Sequence, residues 1–453
     1  MIRTRFAMLP LLFAALLSIP SFAASRRAVI VSLDGLDVRY LKDADKLGAK
    51  IPTLRRLMKE GVMAEGVKSV FPTLTYPNHT SLATATKPAA HGIFGNNIFE
   101  DPSGLITGAG YWFASDIRTD AIWDAASRSG MRVGLVSWPV GGGAGDYNVP
   151  EIWVARGSRK QSFQRMIDQS RPRGLYQEIE KAYPNILANY TNDEGDDSRT
   201  FMAEYIIEKR KPEVMFIHLY DLDHFEHSHG PFSPEALAML EKADQYLARI
   251  IAAVRKSGFA KQTAVFVTSD HGFRPISKTF RPGVLFAQNG LATVPAGTNK
   301  VTDWKAAVYP TASTCAIYLK NPDDSESLQK ALSVLKPLEG KEGTGIGRVI
   351  ERDEIEKLGS NTDAALMIDA AEGYTCGGGY SGEYISSSVS RGTHGYLPDT
   401  PNFRASFIAH GKDVKRRGRI PEMDMTDVGA TIASFLGLGL RDATGRAVDL
   451  TIR

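Results

Sequence analysis

The stretch Arg27-Ala-Val-Ile-Val-Ser-Leu-Asp-Gly35 decides the fold class of this chain. Residues 27–33 form a short apolar run rich in β-branched side chains, which is typical of a strand buried in a parallel sheet. The run ends abruptly at Asp34-Gly35, and a helix-like segment follows at Pro52–Glu60. The stretch therefore predicts the first strand–helix unit of an α/β fold.

Similar units recur along the chain. Further strands are predicted at residues 131–137, 213–219, 263–268 and 403–409. Helical patterns between or after them cover residues 234–255 and 424–436. This alternation predicts an α/β fold with a mostly parallel central sheet flanked by helices, and ligands bind beyond the carboxyl ends of such strands. Residues 275–385 are predicted to form a small inserted α/β subdomain, and residues 140–200 are predicted to be irregular.

The composition is that of an ordinary globular protein. The chain has 453 residues, of which 43% are hydrophobic and 23% charged, with a formal net charge of +3. This length accommodates one large domain or two smaller ones. The nearly balanced charge gives no reason to expect nucleic acid or an anionic membrane as an obligatory partner. The sequence leaves the oligomeric state open.

The N-terminus has the pattern of a secretory signal peptide. Arg3 and Arg5 precede an apolar run at residues 6–19, and Ser21-Phe22-Ala23 is a small-x-small cleavage site. We expect residues 1–23 to be removed, so that residues 24–453 form a periplasmic or secreted catalytic domain. The alternative is an uncleaved membrane anchor, for which the run is short. In an exported protein Cys315 and Cys376 are able to pair, but the sequence alone does not decide this.

A second informative stretch is Phe71-Pro-Thr-Leu-Thr-Tyr-Pro-Asn-His-Thr80. Pro72 and Pro77 predict a rigid, exposed turn carrying Thr73 and Thr75, with a helix starting within residues 81–86. A hydroxyl at a helix N-terminus lies where an anion is favoured, which suits a nucleophile that attacks phosphate. The alternative interpretation is a capping turn without catalytic function.

Several aspartates and histidines follow predicted strands or lie in glycine-containing loops. They are Asp34, Asp223, His227, Asp270, His271 and His394. Carboxylate oxygen and imidazole nitrogen are ligands of catalytic zinc, and these six residues divide into two sets of three. Two such metal ions clamp the attacking and leaving oxygens of a displacement at phosphorus. One of them would bind the Thr75 hydroxyl and lower its pKa.

Six motifs occur in a fixed order from about residue 28 to residue 411. They are Ser32-Leu-Asp34-Gly35, Phe71-Pro-Thr-Leu-Thr75-Tyr-Pro-Asn-His79, His91-Gly-Ile-Phe-Gly95-Asn96, Asp223-x-x-x-His227-x-x-Gly230-Pro231, Ser269-Asp270-His271-Gly272 and Gly392-Thr-His394-Gly-Tyr396. Each motif is weakly specific, whereas the ordered set is strongly so. In this set the sequence resembles the nucleotide pyrophosphatase/phosphodiesterase branch of the alkaline phosphatase superfamily, which implies an alkaline phosphatase-like fold.

The resemblance implies a role for each site residue. Thr75 would be the nucleophile and would complete one zinc site with Asp34, Asp270 and His271. The other zinc would be held by Asp223, His227 and His394. Asn96 would stabilise the non-bridging phosphate oxygen together with the backbone N–H of Thr75, and Tyr76 takes the place of an aromatic residue that stacks on a nucleobase.

The expected activity is that of a two-zinc phosphodiesterase or nucleotide pyrophosphatase with a covalent phospho-enzyme intermediate, acting on a small phosphate ester or nucleotide. The alternatives are a phosphomonoesterase, a phosphonate hydrolase or a catalytically inactive binding protein on the same scaffold. In similar monoesterases a Lys or Arg follows the strand after the nucleophile helix, whereas Trp138-Pro139 carries no charge there. Arg156, Arg159 and Lys160 lie downstream and are the candidate cations for the monoesterase alternative.

Overall fold

The computed structural model describes residues 26–153, 159–186 and 194–451 of the chain. In chain order the strands are β1 (Arg27–Leu33), β2 (Val62–Ala64), β3 (Val67–Lys68), β4 (Val133–Val136), β5 (Tyr147–Val149), β6 (Val214–Leu219), β7 (Thr263–Thr268), β8 (Arg274–Phe280), β9 (Ala292–Thr293), β10 (Asp303–Trp304), β11 (Ala306–Thr311), β12 (Thr314–Leu319), β13 (Ile346–Glu351), β14 (Leu366–Ala370), β15 (Gly373–Cys376), β16 (Ile385–Ser387), β17 (Gly392–Thr393), β18 (Phe407–Gly411), β19 (Gly418–Ile420) and β20 (Met423–Asp424).

Helices alternate with these strands. In chain order they are α1 (Val38–Lys42), α2 (Pro52–Glu60), α3 (Thr75–Thr84), α4 (Pro88–His91), α5 (Ile122–Arg128), α6 (Arg159–Asp168), α7 (Leu175–Ala182), α8 (Asp196–Tyr205), α9 (Asp221–His229), α10 (Pro234–Lys256), α11 (Pro282–Gln288), α12 (Ser325–Leu335), α13 (Arg352–Leu358) and α14 (Met425–Leu436). A π-helical turn at Ile206–Arg210 continues α8. In the part of the chain that the structure describes, no helix combines the length and apolarity that a membrane crossing requires. The predicted signal peptide lies outside the described residues.

The central sheet has eight strands in the order β19-β2-β18-β7-β1-β6-β4-β5. The five strands from β7 to β5 are parallel, whereas β18 is antiparallel to both of its neighbours. Strand β1 lies between β6 and β7, as expected for its largely apolar, β-branched run. The predicted α/β class with a mostly parallel central sheet is confirmed.

The two faces of the sheet bury separate cores, as the alternation of side chains along β1 requires. Val29, Val31 and Leu33 pack on one face with α1, α2 and α10. Ala28 and Ile30 pack on the other face with α3, α5 and α14. Helices therefore cover both faces of β1 and leave the carboxyl ends of the central strands for ligands.

Between β7 and β18 the chain forms other sheets, and we call residues 274–393 the inserted segment. It contains an antiparallel sheet of order β11-β12-β14-β13, the inserted sheet, and a second sheet in which β15, β16 and β17 pair with β8. A disulfide joins Cys315 in β12 to Cys376 in β15, with 6.0 Å between their Cα atoms. The division of the chain into domains stays a prediction.

Two local predictions were wrong. Helix α3 begins at Thr75 itself rather than within residues 81–86, and all its residues are buried rather than exposed. Pro77 is tolerated as its third residue because N–H groups in a first helical turn have no intrahelical partner to lose. Residues 140–200, predicted to be irregular, contain β5, α6, α7 and the start of α8.

Candidate active site

Three neighbouring parallel strands bring the predicted ligands to one edge of the sheet. Asp34 follows β1, Asp270 and His271 follow β7, and helix α9 follows β6. The register pairs Ser32 in β1 with both Thr268 in β7 and His218 in β6, so the three strand ends are level. The fourth contribution, His394, comes from the loop after β17, at the far end of the inserted segment.

Asp34, Asp270 and His271 form the first ligand group, and all three are buried. His271 Nε2 lies 3.3 Å from Asp34 Oδ1 and 3.1 Å from Asp270 Oδ2. The other Asp270 oxygen, Oδ1, accepts a hydrogen bond of 3.2 Å from the backbone N–H of Gly35. The three ligand atoms therefore converge while the rest of each carboxylate is held by the protein.

Asp223, His227 and His394 form the second ligand group. Asp223 Oδ1 lies 3.6 Å from His227 Nε2 and 3.8 Å from His394 Nε2. The Nδ1 atoms face carbonyl oxygens, that of Gly392 at 3.0 Å from His227 and that of Thr73 at 2.9 Å from His394. Because a carbonyl only accepts, each Nδ1 carries the proton and each Nε2 presents a lone pair to the group, the arrangement typical of metal-binding imidazoles.

The two groups adjoin each other. His271 Nε2 lies 3.9 Å from Asp223 Oδ1, and the rings of His271 and His394 stack with their centroids 3.7 Å apart. Within the described residues, Asp34 Oδ1, Asp223 Oδ1, Asp270 Oδ2 and His271 Nε2 are buried and have no hydrogen-bond partner. These unpartnered atoms face one another. Tetrahedral nitrogen and oxygen ligands of a metal such as zinc lie roughly 3.3–3.6 Å apart, which is close to the 3.1–3.8 Å separations within the two groups, so each group is able to hold a metal ion.

The charges in this region also favour cations. Burial, together with the nearby carboxylates of Asp270 and Asp223, raises the pKa of Asp34 well above its usual value. Burial lowers the pKa of His394 well below its usual value, so this imidazole is neutral and able to donate a lone pair. A bound cation would relieve the repulsion among the carboxylates.

The sequence analysis missed two buried residues behind the first group. His218 Nε2 lies 3.0 Å from Asp34 Oδ2, and its Nδ1 lies 3.1 Å from the carbonyl oxygen of Ser137 and 3.4 Å from Glu151 Oε2. Although burial disfavours the charged imidazole, the hydrogen bond to Asp34 and the nearby carboxylate of Glu151 raise the pKa of His218 to about 10. His218 is the one polar residue in the otherwise apolar run Val214–Leu219, and this interruption is the signal that marks it in the sequence.

The other residues near the ligand motifs have supporting or exposed positions. His79, interpreted as a turn-supporting group, is buried; its Nδ1 lies 2.8 Å from the carbonyl oxygen of Thr75 and its Nε2 2.8 Å from Ser32 Oγ. His224 and His229 are exposed. Asp221 is buried and accepts hydrogen bonds from Gly195 and Arg199.

The predicted nucleophile, Thr75, is the first residue of α3 and is 8% exposed. Asn96 Oδ1 accepts a hydrogen bond of 3.0 Å from the backbone N–H of Tyr76. The loop after Asn96 is attached to the inserted sheet by a hydrogen bond of 2.8 Å from the Tyr309 hydroxyl to the Asn97 carbonyl. Thr75 and Asn96 are thus neighbours at the N-terminus of one helix.

Tyr76 is more deeply buried than stacking on a nucleobase requires. The residue is 5% exposed, and the centroids of its ring and the Trp112 ring lie 5.8 Å apart in an edge-to-face arrangement. Its hydroxyl donates a hydrogen bond of 3.1 Å to Glu151 Oε1. Glu151 Oε1 also accepts from Trp153 Nε1 at 3.0 Å. Glu151 therefore connects the aromatic residues Tyr76 and Trp153 to His218. Stacking of Tyr76 on a nucleobase stays a prediction.

Two of the three candidate cations of the monoesterase alternative lie at the start of helix α6. Lys160 is exposed near the start of α6, Arg156 lies outside the described residues, and of Arg159 only the backbone is described. At the strand end itself, Trp138 is buried and uncharged. The described residues thus supply no cation at the position where a monoesterase would carry one.

Comparison with known sequences gives a family assignment. The sequence model described as type I phosphodiesterase / nucleotide pyrophosphatase matches residues 28–397. Venom phosphodiesterase 2 of Crotalus adamanteus is 22% identical over 434 residues, covering 90% of this chain and 45% of the relative. Bis(5'-adenosyl)-triphosphatase enpp4 of Mus musculus is 24% identical over 435 residues, covering 92% of this chain and 79% of the relative. The chain spans about half the length of the venom relatives it matches.

Solved structures share the fold. Murine ectonucleotide pyrophosphatase / phosphodiesterase 5 superposes with a TM-score of 0.63 at 20% identity, covering 93% of this chain and 97% of the other. An inactive threonine-to-alanine variant of the same murine protein, in complex with AMP, gives a TM-score of 0.63 at 19% identity. At this level of identity the likeness shows the fold.

Proposed function

Because the chain belongs to the type I phosphodiesterase / nucleotide pyrophosphatase family, we propose that it is a secreted two-zinc phosphohydrolase with Thr75 as its nucleophile. The preferred substrates are phosphodiesters or nucleotide pyrophosphates. The observation that carries the proposal is the pair of adjacent ligand groups, with four unpartnered buried ligand atoms, at the edge of the sheet. All six predicted ligands are present, which favours an enzyme over an inactive binding protein.

The residues divide the chemistry among them. Asp34, Asp270 and His271 would hold one zinc ion, and Asp223, His227 and His394 the other. When bound, the two ions supply Lewis-acid stabilisation of the attacking and leaving oxygens. Zinc is favoured over magnesium because three of the six ligands are imidazoles.

The reaction proceeds in two steps at Thr75. The Thr75 hydroxyl gives up its proton to solvent and its oxygen forms a bond to phosphorus, while the bond to the leaving-group oxygen breaks and that oxygen takes up a proton. Water then attacks the phosphorus and loses a proton, the bond between phosphorus and the Thr75 oxygen breaks, and the Thr75 hydroxyl is reprotonated. The Asn96 amide donates to the non-bridging oxygen on which negative charge develops. Helix α3 begins at Thr75, so its N-terminal dipole adds to this stabilisation.

Diesters are preferred because the residues that the structure describes supply no Lys or Arg at the strand end where similar monoesterases carry one. A monoester carries an extra negative charge on the transferred group, and enzymes selective for it supply a matching cation. Trp138 is uncharged, and the guanidinium of Arg199 is bound by Asp196 and Asp221. A phosphomonoesterase is the second candidate, with Arg159 or Lys160 as its cation.

Export is supported by two features. Residues 1–23 have the pattern of a signal peptide, and the disulfide between Cys315 and Cys376 is typical of proteins in an oxidising compartment. We therefore place the mature protein in the periplasm or outside the cell.

The test is metal analysis combined with a substrate panel. Protein purified without chelator should contain about two zinc ions per chain. The kcat/KM for nucleotide or alkyl p-nitrophenyl diesters should exceed that for p-nitrophenyl phosphate. Reactivation of the metal-free enzyme by manganese but not by zinc would contradict the metal assignment. A monoester preference that is lost in Lys160→Ala would identify a monoesterase, and zinc-loaded protein that hydrolyses none of these substrates would indicate a binding protein.

A further inference from the structure

The turn between β11 and β12 of the inserted sheet contacts the loop that carries His394. Ser313 Oγ donates a hydrogen bond of 2.6 Å to the carbonyl oxygen of His394, and the backbone N–H of Ser313 donates to the same oxygen at 3.0 Å. Thr314 Oγ1 donates to the carbonyl oxygen of Gly395. Two consecutive carbonyl groups at the ligand are therefore held by two consecutive residues of the inserted sheet.

Gly395 makes this close approach possible. Its φ is +102°, a conformation that L side chains rarely adopt, and a Cβ at this position would lie 3.0 Å from Ser313 Oγ. The glycine in the motif Gly392-Thr-His394-Gly-Tyr396 is thus explained by backbone contact with the inserted sheet.

The opposite side of the His394 loop is held by the segment that precedes the nucleophile. Thr73 Oγ1 accepts from the Gly395 N–H at 2.9 Å and donates to the Tyr396 carbonyl oxygen at 2.9 Å. The Thr73 carbonyl oxygen accepts from His394 Nδ1. The ligand loop lies between Thr73 on one side and the turn of the inserted sheet on the other.

The turn itself is held in place. Ser313 and Thr314 are completely buried. The carbonyl oxygen of Ala312 accepts from the backbone N–H of Cys376 and from Thr375 Oγ1, both at 2.9 Å. The disulfide joins Cys376 to Cys315, the residue that follows Thr314. Strand β15 thus fixes the turn from behind.

We propose that Ser313 and Thr314 are positioning residues for the second zinc ion. Their hydroxyls fix the backbone of His394 so that its Nε2 faces Asp223 and His227. The inference rests on the proposed function, because it concerns one of the two proposed metal sites. It assigns the inserted sheet a specific task, which is to set the affinity of that site.

The experiment compares hydroxyl deletions at the turn with a matched deletion elsewhere in the inserted segment. Ser313→Ala and Thr314→Val remove the hydroxyls, and Thr314→Ser keeps one. Ser327→Ala is the control, because Ser327 is buried, its hydroxyl donates to Asp324 Oδ2 at 2.6 Å at the N-cap of helix α12, and its side-chain hydrogen bond among the described residues does not involve the His394 loop. Each protein is titrated with zinc in competition with a chromogenic chelator, and its melting temperature is measured without metal.

Ser313→Ala and Thr314→Val should weaken the binding of one zinc equivalent by ~10–100-fold and leave the other unchanged, as is typical when the support of a metal ligand is removed. Thr314→Ser should bind both equivalents as the wild type does, and so should Ser327→Ala. Normal binding of both zinc equivalents by the two deletion variants would overturn the inference. A parallel loss of both equivalents together with a lowered melting temperature would also overturn it. The readout does not depend on catalysis, so a zinc-loaded wild type without hydrolase activity would refute the proposed activity alone. A wild type that binds only one zinc ion would refute the proposed metal set and this inference together.

Discussion

His218 offers a sharp test of the first metal group, because its two ring nitrogens have different partners. Nε2 faces Asp34 Oδ2 at 3.0 Å, and Nδ1 faces the Ser137 carbonyl oxygen at 3.1 Å. Asparagine places an amide nitrogen near the position of Nδ1, and glutamine places one near Nε2. His218→Asn therefore removes the hydrogen bond to the ligand, whereas His218→Gln retains it.

The expected loss follows from the hydrogen bond to Asp34. A hydrogen bond to a charged group contributes about 1.5–3 kcal/mol, and each 1.4 kcal/mol is a factor of ten in a binding constant. His218→Asn should therefore weaken the binding of the first zinc ion by ~10–100-fold, which agrees with the usual effect of removing the partner of a metal ligand. His218→Gln should bind that ion within about threefold of the wild type, since the donor to Asp34 is kept.

The assay is zinc titration of metal-free protein against a chromogenic chelator, with the two equivalents fitted separately. Melting temperatures of the metal-free variants control for general damage to the fold. Equal zinc affinity in the Asn and Gln variants would refute the reasoning, because it would show that the bond to Asp34 does not orient the ligand.

Three further predictions concern the proposed nucleophile, the proposed oxyanion donor and a buried carboxylate. Thr75→Ala should lower kcat by at least ~10⁴-fold with both zinc ions retained, and activity within tenfold of the wild type would show that water attacks directly. Asn96→Ala should lower kcat by ~10²–10³-fold with unchanged zinc content, whereas loss of zinc would give Asn96 a structural role. Burial raises the pKa of Asp369 to about 7. The folded state thus keeps a proton that the unfolded chain loses, and stability falls as the pH rises from about 4 to 7. The unfolding free energy of Asp369→Asn minus that of the wild type should rise by ~2–3 kcal/mol from pH 5 to pH 8.5, as measured by denaturant titration at each pH. A difference that does not change with pH would contradict the raised pKa.

The sequence predicted those parts of the fold that depend on a single local pattern. The runs at residues 27–33 and 263–268 are strands with the predicted bounds, because an uninterrupted apolar, β-branched run has few other buried arrangements. The grouping of Asp34 with Asp270 and of Asp223 with His394 came from the family resemblance, since spacing along the chain does not encode it. The structure brings the same sets together.

The remaining features depend on tertiary context. Pro77 indicated a break, but a proline in the first helical turn removes no hydrogen bond, so α3 begins at Thr75. Glu151 comes shortly after β5 and belongs to none of the motifs, and only the folded chain brings it against His218 and Tyr76. The burial of Tyr76 likewise depends on Trp112, which is distant in sequence.

The attachment of the active site to the inserted sheet limits how this scaffold can be rearranged. The Tyr309 hydroxyl holds the loop that follows Asn96, and the Ser313 hydroxyl holds the carbonyl group of His394. A shortened chain without the inserted segment would leave Asn96, the proposed oxyanion donor, and His394, the proposed metal ligand, on loops that lack these contacts. Exchange of this segment between relatives, whether by recombination or by design, must therefore conserve the contacts of the Tyr309 and Ser313 hydroxyls. The segment cannot be replaced by a sequence that lacks them without a loss of support for these two loops.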